Sequence, residues 1–290
     1  MKGTSDIKHS IKAIRDTSQI TSAMRLISTS KMQKAIKKYQ ANAIYFNRVR
    51  SAMKDILLHS SALKHPYLEH SEQGTPTYVV LAADKGLCGG YNHNVLTFAL
   101  EQMEAAEKKY IVTIGQETRA FFERRDIPID LEYLHIAQDP SLYNARKLAN
   151  DLCDMYIKHD INEVNVVFTR YYTSMKQEPI MLKLLPVSLD EFKDVDVELE
   201  YKAVLDYYPS PEEVLDVLIK QYIVGIIYAA LVQAYASENS QRMIAMENAT
   251  KNANEMITKR SIQLNRVRQQ NITSDITEIV GAMEALNKPR

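Results

Sequence analysis

The chain has only two cysteines, Cys88 and Cys153, far apart in its 290 residues. That is no disulfide framework, and it points to a reducing compartment. No apolar run reaches the roughly 18 residues of a membrane span, so none is expected. Charged residues interrupt the first positions too often for a signal peptide. No Arg- and Ser-rich extension precedes the first helical pattern, so no organelle transit peptide is expected either. The seven histidines are scattered, and none stands at metal-ligand spacing from another histidine or a cysteine. No metal, cofactor or catalytic residue is therefore expected. Glycine and proline are both missing from residues 4–63, and residues 212–286 hold no proline and only Gly225 and Gly281. These two stretches lack the residues that make turns.

What remains in those stretches is helical. From Glu212 to Leu286, apolar residues recur at steps of three and four: Leu215, Ile219, Tyr222, Ile226, Ala230; Met246, Ala249, Ala253, Met256; Ile272, Ile276, Ile279, Met283, Leu286. This is the seam of a helix that packs on other helices. Pro211 suits a first helical turn, and Ser210 suits its cap. Unbroken, such a helix would run about 110 Å. Near the N-terminus the seam runs Ile7, Ile11, Ile14, Ile20, Met24, Ile27, then Ile36, Tyr39, Phe46, Val49, Met53, Ile56. Small polar residues around Thr17–Ser22 and Ser28–Ser30 would let another helix approach closely, or would face a partner protein. This helix is expected to end near His65-Pro66, because proline disfavours a helical residue before it.

Between the helices the period changes. Tyr78–Ala82 is a short continuous apolar run, the pattern of a strand buried on both faces. Further strands are expected at Tyr110–Ile114, Leu131–Leu134, Val164–Tyr171 and Ile180–Leu185. Helices are expected to about Lys108, around Phe121-Phe122, and from Pro140 to His159. Alternating strands and helices make a small α/β domain. The expected division is 1–65 helix, 76–186 α/β domain, 187–210 polar acidic connector and 211–290 helix. The economical arrangement pairs the terminal helices as an antiparallel coiled coil, with the longer C-terminal helix projecting past its partner.

Charge is balanced overall, with 36 basic and 36 acidic residues, but not locally. Residues 1–54 hold 12 Lys and Arg against Asp6 and Asp16, whereas residues 212–290 hold nine of each sign. A basic arm suggests a partner with acidic surfaces. On the C-terminal helix Arg266, Arg268 and Gln269 cluster near Lys259 and Arg260, where arginine forks suit carboxylates or carbonyls of a surrounding protein. Plain solubilising charge is the alternative. The turn Gly86-Leu87-Cys88-Gly89-Gly90 lies between a strand and a helix, which invites a phosphate-binding reading. It matches neither phosphate-loop pattern, and Lys85 precedes the glycines, so it reads as a tight structural turn. Three readings stay open: a coiled-coil protein that contacts partners, a nucleotide-binding α/β protein with a helical oligomerisation arm, and a basic coiled coil that binds nucleic acid.

Four stretches resemble one family. They are Ile11–Ile14 through Gln19–Met24 to Ser30–Met32; Asp84–Asn92; Ala236–Asn239 through Arg242–Met246 to Ala249–Ala253; and Asn265–Gln269 through Ile272-Thr273 to Thr277–Gly281. In order and spacing they resemble the gamma subunit of the F-type ATP synthase, bacterial type. The resemblance implies a mixed α+β and α/β fold: a long antiparallel coiled coil with an inserted Rossmann-like domain. It implies a non-catalytic central rotor stalk that couples ion-driven rotation to ATP synthesis or hydrolysis on beta subunits. The implied partners are the alpha3beta3 hexamer, the epsilon subunit and the c-ring, with one copy per complex and no nucleic acid. The implied location is peripheral, on the cytoplasmic side of the plasma membrane. By position, Arg268, Gln269, Arg266, Met24 and Lys31 (with Met32 beside it) match beta-contact positions. Arg242, Thr273 and Glu278 match positions tied to coupling, and Gly86, Gly89 and Gly90 match the structural turn. The family often has arginine where this chain has Lys85.

Overall fold

The computed structural model describes residues 4–59, 65–69, 73–158, 160–188, 192, 208 and 210–286. The elements in order are α1 (Thr4–His59), β1 (Thr75–Leu81), α2 (Tyr91–Met103), β2 (Tyr110–Ile114), α3 (Gln116–Glu123), β3 (Leu131–Tyr133), α4 (Leu142–Lys158), β4 (Ile161–Tyr171), β5 (Gln177–Leu185) and α5 (Pro211–Leu286). The connector expected over 187–210 lies largely outside the described residues. Residues 28–242 form one compact unit, and the segments on either side of it form another.

In the larger unit the strands make one sheet ordered β3-β2-β1-β4-β5. β1 is central and parallel to both neighbours, pairing Val79 with Val112 and with Val166. Its continuous apolar character follows from this place, since both faces are covered. Tyr78 and Val80 face one cluster with Val95, Ala99, Phe121 and Phe122 of α2 and α3. Val79 and Leu81 face the other, with Leu148 and Leu152 of α4. β5 is antiparallel to β4, with Phe168 opposite Ile180 and Tyr171 opposite Gln177. The five residues between them leave no room for a parallel crossover. Thr173 closes the turn: its Oγ1 accepts from the amides of Met175 (3.2 Å) and Lys176 (3.0 Å).

Two helix ends differ from the periodicity. α2 stops at Met103 and not near Lys108, because Lys109 Nζ donates to the carbonyls of Met103 and Ala106, at 2.8 Å each. The described part of α1 ends at His59, and His65–Leu68 form a turn.

Within this unit α1 and α5 run antiparallel. Asn42 Nδ2 donates to Tyr228 Oη (3.4 Å), and Tyr45 Oη to Gln221 Oε1 (3.5 Å). Gly225 makes the approach possible: a Cβ there would lie 2.4 Å from the Phe46 ring. α5 also contains a stretch apolar enough, by length and composition alone, to cross a membrane. The membrane-like stretch is a core helix instead: Leu215, Ile219, Ile223, Ile227 and Leu231 are all buried, in one cluster with Val49, Met53 and Ile56 of α1.

The smaller unit is a helix pair. Ser18 Oγ donates to Asn254 Oδ1 (3.0 Å), and the Thr21 and Thr250 hydroxyls are 2.7 Å apart. These contacts set an antiparallel register, and they correct the expected seam. Ile20 and Ile27 do not continue it; they are 61% and 56% exposed. The buried positions of α1 in this pair are Ile7, Ile11 and Ser18. Around Ser18 and Thr21 small side chains fill the seam, as a close helix–helix approach needs. On α5 the seam passes through Met246, Ala253, Ile257, Leu264 and Val267, one position away from the exposed Met256.

Candidate functional site

The end of α5 is the first candidate surface. From Ser18–Asn254, fourteen residues down α1 and fourteen up α5 bring Thr4 opposite Arg268. Burial changes at that point. Val267 is partly buried, and every residue from Arg268 to Met283 is exposed. The third part of the expected seam has no partner among the described residues: Ile272, Ile276, Ile279 and Met283 are 48–61% exposed. The helix holds itself together locally. Thr273 Oγ1 donates to the Gln269 carbonyl (2.9 Å) and Thr277 Oγ1 to the Thr273 carbonyl (2.8 Å). Arg266, Arg268, Gln269, Thr273 and Glu278 therefore share one solvent-facing segment. Met24 is half-buried in the helix pair.

In the larger unit Lys31 is exposed, but its neighbour Met32 is buried and faces the β4–β5 hairpin. The Tyr171 and Ser174 hydroxyls each lie 3.9 Å from its Sδ. Met32 thus belongs to the packing between α1 and the sheet, unlike Lys31.

Arg242 is separate from the tip residues. Its guanidinium pairs with Glu238 one turn earlier (2.7 Å). It also donates to the carbonyls of Lys85 (3.1 Å) and Gly86 (3.1 and 3.4 Å). The 84–90 turn is clamped onto α5 by a charge-assisted network of low exposure. Within the turn Gly89 has φ +59°, which favours glycine, whereas Gly86 has an ordinary φ and open space around its missing Cβ. Gly86 contributes a carbonyl, not a glycine conformation. Asp84 Oδ1 accepts from the amides of Gln116 (3.1 Å) and His135 (3.1 Å), tying the turn to the next two loops. Burial pushes the Glu238 carboxyl above its ordinary range, against the opposing pull of Arg242. Burial also raises the Cys88 thiol, again against Arg242. This is the reverse of an activated thiolate.

The sheet's crevice is covered. Strand order reverses between β1 and β4, and there the open ends of such sheets take ligands. In this chain α5 lies across that place. Tyr91, at the start of α2, donates to the Ala234 carbonyl (3.2 Å), and Ser237 donates to the Thr169 carbonyl (3.2 Å) near the end of β4. Glu238, Tyr91 and Ser237 had no role assigned from sequence. The i,i+4 spacing of Glu238 and Arg242 was the legible part, but the turn they meet lies about 150 residues away in sequence, as the Arg242–Gly86 separation of 156 shows.

The sequence model of the family described as ATP synthase matches residues 3–286. The ATP synthase gamma chain of Acetivibrio thermocellus is 38% identical, over 99% of this chain and all of that one. That of Ruminiclostridium cellulolyticum is 40% identical over 97% and 98%. The chain belongs to the ATP synthase gamma chain family. Among solved structures, the rotor of the Euglena gracilis mitochondrial ATP synthase matches with a TM-score of 0.66 at 15% identity, covering 93% of this chain and 98% of that one. The Tetrahymena thermophila central stalk matches at 0.60 and 20%, covering 79% and 99%. The gamma chain fold is thus the fold of these central stalks.

Proposed function

We infer that this gamma chain couples rotation of an ion-driven c-ring to ATP synthesis and hydrolysis at beta-subunit sites, and holds no catalytic site itself. The carrying observation is the lone end of α5: a row of exposed apolar residues, with Arg268 and Gln269 where α1 leaves off. Such a row on a single helix calls for a surrounding surface, and an alpha3beta3 hexamer supplies one. The stalk acts by differential contact, since each orientation favours different beta conformations. Arg266, Arg268, Gln269, Met24 and Lys31 are assigned to beta contacts, and Thr273 and Glu278 to coupling through the same surface. Arg242 is assigned to coupling through the chain itself, by clamping the turn at Gly86, Gly89 and Gly90 to α5. The further partners are the epsilon subunit and the c-ring, with one copy per complex, on the cytoplasmic side of the plasma membrane.

The nucleotide-binding reading loses support from the position of α5 over the sheet's switch point, because a nucleotide there would have to displace a buried helix. The test is reconstitution. The full chain is mixed with alpha and beta subunits of a bacterial synthase, and particle mass and ATPase rate are recorded. One copy per three beta subunits, with a raised ATPase rate, is expected. No complex, with nucleotide bound by the chain alone, would overturn the proposal.

A further inference from the structure

The larger unit holds a cavity of about 520 Å³ between the α1–α5 pair and strands β4 and β5. That volume is within the range of sites for small organic ligands. Phe46, Phe168 and Tyr222 supply apolar wall, and Ala229 presents only a methyl group on the α5 side. The ionisable side chains of opposite kind are unevenly placed. Among the described residues, Arg50, Arg170 and Lys183 line the cavity and no carboxylate does. Lys183 is held by Glu163 at 2.7 Å, and the Arg50 guanidinium lies 6.0 Å from the Phe192 ring centroid. No ion pair joins Arg170 to a described residue. Glu163 balances Lys183, and Glu178 stands opposite Arg170 in the β4–β5 register while pairing with Lys176 (3.4 Å); an apolar slot whose described charged lining residues are all cations is complementary to an anionic occupant.

We propose that this cavity binds an amphipathic organic anion: an extended or aromatic apolar body between α1, α5 and the β4–β5 face, with one acidic head group on Arg170. Arginine at the rim suits a carboxylate or sulfonate, which its planar fork meets with two hydrogen bonds. The occupant would wedge between the helix pair and the sheet, so this site is separate from the tip of α5, and it stands whether or not the rotor reading does.

A matched pair of dyes tests it by fluorescence titration of the full chain. Anilinonaphthalene sulfonate carries the anion; phenylnaphthylamine has the same rings and no charge. The expected result is one saturable site per chain that prefers the sulfonate by about tenfold or more. Arg170→Gln should erase the preference, and Ala229→Leu, which fills the slot, should remove the site while the circular dichroism spectrum stays unchanged. Equal affinity for the two dyes, or sulfonate binding unmoved by Arg170→Gln, would overturn the proposal. Should Ala229→Leu perturb the helices, Arg170→Gln decides alone, because Arg170 is at the rim and outside the packed core.

Discussion

Replacing Arg242 with alanine tests the clamp between α5 and the 84–90 turn. The substitution removes the 2.7 Å pair with Glu238 and the contacts to the Lys85 and Gly86 carbonyls. It leaves a carboxyl that is 6% exposed without its counter-charge. Removing one partner of a buried pair costs about 3–5 kcal/mol. Glu238 can escape part of this cost by taking up a proton. Burial already holds its pKa above the ordinary range, Asp84 pushes the same way, and Arg242 is the chief opposing influence. Without Arg242 the folded-state pKa rises further. A raised folded-state pKa gives stability that is complete below the unfolded-state value and is lost as pH rises through the folded one. Arg242→Ala should therefore cost less at pH 5 than at pH 8. Adding Glu238→Gln, which removes the charge and keeps the shape, should recover most of the loss at pH 8. Urea unfolding of the full chain at the two pH values, for wild type, Arg242→Ala and the double variant, measures this. An equal cost at both pH values, with no recovery in the double variant, would refute the reasoning.

Arg268→Ala with Gln269→Ala should leave thermal unfolding of the chain unchanged, because both side chains are exposed, yet lower ATP hydrolysis by the reconstituted complex; wild-type turnover would remove the assignment. Gly225→Ala should destabilise by about 1–3 kcal/mol through overpacking against Phe46, but in a Phe46→Ala background it should stabilise by about 0.5–1 kcal/mol through helix propensity, as a double-mutant unfolding cycle would show. Gly89→Ala should cost about 1–2 kcal/mol because of its left-handed backbone, and Gly86→Ala less than about 0.5 kcal/mol; chemical denaturation of both variants separates the two glycines. Burial pushes the Cys153 thiol up to about 11. The stability tied to it is complete below its ordinary value of 9.0 and is lost as pH rises to about 11, a window worth about 2–3 kcal/mol. Cys153→Ser should flatten that alkaline loss in melting curves.

The sequence by itself determined the element types and their order. Helical periodicity without glycine or proline specified α1 and α5, because a chain with no turn residues and a repeating apolar step has one compact way to bury that step. The continuous apolar run at Tyr78–Ala82 specified the central strand for a similar reason: only a strand covered on both faces needs no polar side. The motifs Asp84–Asn92 and Asn265–Gly281 carried the family. Tertiary structure alone decided which face of each helix was inside. Ile20, Ile27 and Met256 look like seam residues by hydrophobicity, yet they are exposed, and Ser18 and Thr21 meet Asn254 and Thr250 across the pair by hydrogen bonds that a period count does not show. It also decided that Arg242 clamps a turn and that α5 covers the sheet's crevice. Both depend on contacts between segments about 70 to 160 residues apart, as the Ser237–Thr169 separation of 68 and the Arg242–Gly86 separation of 156 show. Periodicity reports a residue's neighbours within one element, and says nothing about what another element brings to meet it.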